Sequence, residues 1–333
     1  MVTADVVRWG VVGTGGIGRR TVGDLRLCDT ARVVAVASRS QDSADAFASE
    51  WELPFAFGDF DDLCASPDVD AVYIGTPHST HYSYARRALG AGKHVLCEKP
   101  LTMTADEAAE LGSIAADRGL FLMEAMWMKF SPAVRHAVKL VEDGVIGEPR
   151  FLQSGLGYPV PADGPPRFWD AALGGGALYD MGVYTIALAH LLFGERAAVS
   201  ASGSVRPDGV DLDETYLVDF VGGQVAQSVT SITFFVPPRA WLGGTKGSIE
   251  FDAPLFSPRS LTVTTGTPPT PPAVETIEFA VEGAGYVPMF RAVNDAILAG
   301  HIAHPIHPVA ATVQTLRTME AIRDALLAER DRD

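Results

Sequence analysis

Cysteine is scarce in this chain. Cys28, Cys64 and Cys97 are the only three, and no two of them stand at metal-ligand spacing. An odd, scattered set supplies neither a disulfide framework nor a zinc site, so a reduced, cytoplasmic setting is the expectation. Positive charge is also in short supply: 26 Lys and Arg against 41 Asp and Glu leave a net charge of -15. That balance excludes non-specific nucleic-acid binding, which needs a basic surface, and favours solubility. No uninterrupted apolar run approaches the length needed to cross a bilayer, and no basic segment leads into a hydrophobic stretch at the start. Neither a membrane partner nor a signal peptide is expected. Internal repeats are absent too.

What is present is a change of rhythm. The chain has 333 residues, long enough for two domains. Its first 125 residues alternate strand-like runs ("VVRWGVVG", "ARVVAVAS", "VDAVYIGTP", "KHVLCEKP", "LFLMEAMW") with helical ones ("RRTVGDLRL", "SADAFASEW", "THYSYARRALGAG", "TADEAAELGSIAADRG"). Short links between such elements predict a parallel sheet wrapped by helices on both faces. Thr104, with Glu107 three residues on, predicts a capping box. From residue 126 the order becomes a helix, a Gly-led helix, then several strands, with a hairpin at Gly222-Gly223 and a closing helix over 309–330. The fold class read from this is α/β: a doubly wound parallel sheet over 1–125, then an α+β domain over 126–333 with a large open, mainly antiparallel sheet.

"GTGGIG" follows the first strand and opens the first helix. Gly13, Thr14, Gly15, Gly16, Ile17 and Gly18 therefore form a G-x-G-x-x-G loop in the context that makes the pattern informative. Gly13 permits the tight turn, Gly15 a close approach to a pyrophosphate, and Gly18 helix-on-strand packing. After the second strand, where NAD-binding proteins carry an acid for the ribose 2′-hydroxyl, the chain reads Ser38-Arg39-Ser40. An arginine with two hydroxyls suits a 2′-phosphate, and NADP is the expected cofactor, with NAD the lesser choice.

The stretch Gly75 to Leu111, "GTPHSTHYSYARRALGAGKHVLCEKPLTMTADEAAEL", strongly resembles the family of glucose-fructose oxidoreductase, inositol dehydrogenase and MocA. "EAMWMKFSP", "GVIGEPRF", "GGGALYDMGVY" and "GTKGSIEF" fit it as well, so the resemblance covers most of the chain and is weakest over about Ser257 to Ala284. The resemblance implies an N-terminal Rossmann domain and a C-terminal domain for substrate binding and oligomerisation. It implies a catalytic role for Lys99, a place near the nicotinamide for Glu98, and a cis peptide bond at Pro100. Thr76, Pro77 and His81 join the implied cofactor residues; for His81 a structural role fits equally. His78 and Lys129 depart from the usual Asn and Arg.

Tyr184 stands where many members have histidine, as in the branch similar to dimeric dihydrodiol dehydrogenase and NADP-dependent aldose (xylose-type) dehydrogenases. Asp180 lies four residues before it. The resemblance makes both catalytic and substrate-contacting. Arg167, Phe168 and Trp169 are expected to line the substrate cleft. Trp127 fits either that cleft or packing between domains. His190 reads as core, and His301, His304 and His307 read as a loop with no metal.

The implied activity is hydride transfer between NADP and a CH–OH carbon of a sugar, polyol or cyclic diol, with Tyr184 and Lys99 assisting proton transfer. A homodimer, or higher homo-oligomer, through the C-terminal sheet is expected. Two competitors are an NAD(P)-assisted glycosidase of the same family, disfavoured by Tyr184 and the missing acid, and a cofactor-sensing protein without turnover.

Overall fold

Apolar runs too continuous for a half-exposed strand form the first sheet, buried on both faces. Its elements are β1 (Val7–Val12), α1 (Gly16–Leu25), β2 (Ala31–Ala37), α2 (Gln41–Glu50), β3 (Phe55–Phe57), α3 (Phe60–Ala65), β4 (Ala71–Ile74), α4 (His81–Gly90), β5 (His94–Cys97), α5 (Ala105–Arg118) and β6 (Leu122–Glu124). All pairings are parallel, in the order β3-β2-β1-β4-β5-β6. The order reverses between β1 and β4, and open α/β sheets bind ligands at the strand carboxyl ends beside that point. The expected capping box is present: Thr104 accepts from the Glu107 N–H while Glu107 reaches back to the Thr104 N–H. The structure is a computed structural model and describes residues 6–269 and 271–330.

The second sheet follows α6 (Pro132–Glu142). Its elements are β7 (Pro149–Gly157), α7 (Val183–Phe193), β8 (Arg196–Val205), β9 (Asp211–Phe220), β10 (Val225–Ser231), β11 (Ala240–Gly244), β12 (Gly247–Phe251), β13 (Ser260–Thr265) and β14 (Ala273–Glu278). The strand order is β14-β13-β12-β11-β7-β10-β9-β8, antiparallel except between β7 and β10. Register decides its two faces. Val218, Ala226, Leu152, Leu242, Ile249 and Val263 form one row across the sheet, all at most 5% exposed. The row beside it, Leu217, Gln227, Gln153, Trp241 and Glu250, faces outward, with Leu217 39% and Trp241 40% exposed. The apolar stretch Ala171–Phe193 is long enough by composition to cross a bilayer, but it is mostly buried within the fold, as a core helix is.

The last two helices are α8 (Val287–Leu298) and α9 (Val309–Arg330). The chain forms two compact units: residues up to Trp127 with Glu282–Val313, and Met128–Val281 with residues from Gln314 onward. The chain passes between the units after Trp127, before Glu282 and after Val313. The return at Glu282 has clear anchors. Both carboxylate oxygens of Asp24 accept the Ala284 N–H, and one also accepts that of Tyr286. The Trp9 indole donates to Asn294 Oδ1 at 2.9 Å, and Phe290 packs edge-on to Trp9 and Tyr73. Short elements escaped the sequence reading. A strand of three residues such as β3, or a helix of six such as α3, is too brief to show a period.

Candidate active site

The glycine loop has the shape its residue types require. Gly13 sits at φ +107°, and a Cβ there would lie 2.8 Å from the Gly75 carbonyl oxygen. A Cβ on Gly18 would collide with the Gly13 carbonyl. Gly15 and Gly16 are exposed, with nothing within 4 Å of an added Cβ. Gly15 caps α1 without a side chain, so the first N–H groups of α1 face outward with room for a phosphate. The Arg19 guanidinium donates to the Thr14 carbonyl at 2.7 Å and pairs with Glu50, which steadies the loop. Ile17 is half-buried beside it, with its side chain near Gly75.

At the end of β2, Ser38 is half-buried and donates its N–H to the Phe57 carbonyl. Arg39 is exposed and forms no ion pair among the described residues. Ser40 caps α2, its hydroxyl accepting the Ser43 N–H. The open glycine cradle and the uncapped helix start fit the pyrophosphate of a dinucleotide.

Across the β4 and β5 ends, the Lys99-Pro100 bond is cis. Glu98 is 7% and Lys99 9% exposed. Glu98 accepts the Tyr73 hydroxyl and, at 3.1 Å, the Lys99 N–H. Burial pushes the Glu98 carboxyl up from its ordinary range, while the Tyr73 hydrogen bond and the Lys99 charge pull it back. The same burial drives the Tyr73 phenol well above its ordinary value. Thr76 Oγ1 accepts the Thr80 hydroxyl at 2.7 Å, and the Pro77 carbonyl accepts the Thr80 N–H. His81 is fully buried, with both ring nitrogens 2.8 Å from backbone carbonyls, those of Pro100 and Thr76. Trp127, 4% exposed, stacks on Tyr286 with ring centres 4.6 Å apart. His307 is not a plain loop residue: it is fully buried and pairs with Glu124 at 2.7 Å. Among the described residues, no cluster of three or more His, Cys, Asp or Glu could hold a metal.

In the second unit Asp180 lies in a π-helical turn, Leu178–Gly182, that runs directly into α7. Such turns are uncommon and concentrate at functional sites. Asp180 pairs with Arg167 at 2.9 Å, and the Arg167 guanidinium lies 3.9 Å above the Phe168 ring. Trp169 donates its indole N–H to the Pro161 carbonyl. Tyr184 is 7% exposed, its ring 5.1 Å from that of Phe256. The structure thus gathers Asp180, Arg167 and Phe168. Phe256, one residue before the stretch where the resemblance is weakest, was not foreseen. Lys129 is buried.

Beneath the π turn lie two buried acids. Asp211 accepts the Leu178 N–H at 2.7 Å, and Glu214 accepts the Thr230 hydroxyl. No partner reaches Glu214 Oε2. Desolvation first, then the Asp211 charge, hold the Glu214 carboxyl well above its ordinary value. A raised folded-state value means the stabilisation is complete below the unfolded value, about pH 4.3, and is lost as pH rises through the folded one. Glu214→Gln cannot ionise. Its unfolding free energy is therefore expected to fall less with rising pH than that of the wild type, with a gap of about 1–3 kcal/mol in its favour at the alkaline end. Denaturant titrations at several pH values check this, and parallel curves for both proteins would contradict it.

The family model described as "Oxidoreductase family, NAD-binding Rossmann fold" matches residues 7–126, and the GFO/IDH/MocA C-terminal domain matches residues 134–250. The trans-1,2-dihydrobenzene-1,2-diol dehydrogenase of Bos taurus is 32% identical over 326 residues, 96% of this chain and 97% of the relative. That of Mus musculus is 31% identical over 325 residues, with the same coverage. Among solved structures, a 3-ketoreductase from Actinomadura kijaniata in complex with NADP and TDP-benzene aligns with a TM-score of 0.85 at 29% identity, covering 96% of this chain and 98% of that one. An aldose-aldose oxidoreductase from Caulobacter crescentus complexed with glycerol aligns with a TM-score of 0.86 at 28% identity, covering 98% of each chain.

Proposed function

The chain belongs to the GFO/IDH/MocA oxidoreductase family, and on that premise we propose that it is an NADP-dependent dehydrogenase or reductase acting on a CH–OH carbon of a sugar, polyol or cyclic diol. The observation that carries the reading is Lys99, a nearly buried ammonium on a cis turn at the carboxyl end of β5. Bound NADP supplies or accepts the hydride. The hydroxyl proton is left for the protein to move. Tyr184 serves as its acceptor and donor, Lys99 holds the reacting oxygen and favours the phenolate, and Asp180 with Arg167 orients the substrate hydroxyls. Glycine-loop N–H groups take the pyrophosphate, and Ser38 and Arg39 take the 2′-phosphate. The similarity to diol dehydrogenases and to an NADP-bound ketoreductase supports this choice of substrate class and cofactor.

The test is turnover of D-xylose and trans-1,2-dihydrobenzene-1,2-diol, within a wider panel of sugars and diols, followed by nicotinamide absorbance with NADP and with NAD. Net NADP reduction matched to substrate consumed supports the reading. Glycosidic cleavage without net cofactor change would favour the glycosidase, and binding without turnover the sensor.

The proposal includes a homodimer through the outward row of the second sheet, which exposes Leu217 and Trp241 among glutamines. Closed two-fold pairing is the common way to cover such a face. Light scattering at micromolar concentration is expected to give twice the chain mass of 35.4 kDa, and Trp241→Glu to shift it toward one.

A further inference from the structure

Resting on that reading of Lys99, we infer that Glu124 is its positioning residue, acting through the peptide unit that follows the cis bond. Pro100 C=O and Leu101 N–H belong to one peptide plane. The carbonyl end is held by His81 Nδ1 at 2.8 Å, and the N–H end donates to Glu124 Oε1 at 3.0 Å. Gripping both ends fixes the rotation of that plane. Proline fixes its own φ, so a fixed plane after Pro100 leaves the backbone of Lys99 little freedom. Upstream, the Lys99 N–H is already bound to Glu98.

Glu124 is itself held from a distant part of the chain. Its Oε2 meets His307 Nε2 at 2.7 Å and accepts the Thr312 hydroxyl at 3.1 Å. The neighbouring Ala125 donates its N–H to the Cys97 carbonyl at 2.7 Å, tying β6 to the end of β5. Glu124, His307, Thr312 and His81 are each at most 1% exposed. A carboxylate taken out of water is costly, and here each of its oxygens has a partner. A neutral imidazole has one N–H, and with it on Nδ1 the Pro100 carbonyl has its donor. One hydrogen-bonded line therefore runs from His81, through the lysine turn, to His307 and Thr312. Glu124 touches neither the reacting carbon nor the nicotinamide in this scheme, so its whole effect passes through Lys99.

The test uses the full-length protein with NADP and the better turned-over of D-xylose and trans-1,2-dihydrobenzene-1,2-diol. Glu124→Gln cannot satisfy Leu101, His307 and Thr312 in their present roles. It is expected to lower kcat about tenfold to a hundredfold, the scale of a small misplacement, while the NADP dissociation constant stays within about twofold. In a Lys99→Met background the same change is expected to cost nothing further. A readout independent of turnover is the NMR signal of the Lys99 ε-carbon in lysine-labelled protein. The sequence has only five lysines, and the signal lost in Lys99→Met identifies Lys99. Glu124→Gln is expected to shift it.

Thr312→Val removes one bond to Glu124 and is expected to give a smaller loss of the same kind. It carries the test if Glu124→Gln does not fold. Unchanged kcat and an unmoved Lys99 signal in these variants would overturn the inference, and so would an equal loss with and without Lys99. An active Lys99→Met enzyme would instead sink the catalytic reading itself.

Discussion

Lys99→Met is expected to lower kcat by about 10²–10⁴ while leaving NADP affinity nearly unchanged. Methionine keeps the length of the stem and removes only the ammonium. A solvated loop lysine would tolerate that change within about 0.5 kcal/mol of stability and with no loss of turnover. Lys99 is 9% exposed and follows a buried glutamate, so its surroundings are not those of a surface lysine. Tyr184→Phe, which removes one oxygen from a ring that is 7% exposed, is expected to give a loss of similar size. The two groups are proposed to act on one proton transfer. The double variant should then lose far less than the product of the single losses. Stopped-flow or steady-state kinetics, with cofactor affinity measured by fluorescence, decide it. A Lys99→Met enzyme retaining more than about a tenth of its kcat, against the expected loss of 10² or more, would return the Glu98-Lys99-Pro100 turn to an ordinary connection.

Arg39→Ala is expected to raise the KM for NADP about tenfold or more and to leave that for NAD almost unchanged. A hydrogen bond between a guanidinium and a phosphate is charge-assisted, and losing one is worth at least that factor. The 2′-phosphate is the only group that distinguishes the two cofactors, so a residue that binds it moves one constant and not the other. Arg39 is well placed for such a role in one respect: it is exposed, and no acid among the described residues competes for it. Saturation kinetics with both cofactors measure the ratio. Equal changes for both would remove Arg39 from the 2′-phosphate site and leave Ser38 and Ser40 as its remaining candidates.

The legible part of the fold was the part written in local rules. Gly13 must reach φ +107°, and only glycine does so freely, so the loop announced itself. Thr104 and Glu107 are three residues apart, so the capping box did too. The Gly222-Gly223 hairpin joins strands that are neighbours in sequence, β9 and β10. The lysine turn was legible for another reason: a long ungapped motif carried it, together with its cis bond. Trp127 was not placed by any such signal. Its indole stacks on Tyr286, a ring that sequence could not set beside it.

By itself, then, the sequence determined the two kinds of sheet, the dinucleotide loop and the capping box, each written in local patterns where chain geometry leaves few alternatives, while the cis turn came from the longer motif. Only the tertiary structure decided that Glu282–Val313 returns to the first unit, that Asp24 receives it, that Glu124 lies between Leu101 and His307, and that Glu214 shares its burial with Asp211. A buried polar group must find a partner, and that much can be said of any sequence. Which partner it finds, across 183 residues for Glu124 and His307, depends on how the helices and strands close around it, and no local pattern in the chain carries that information.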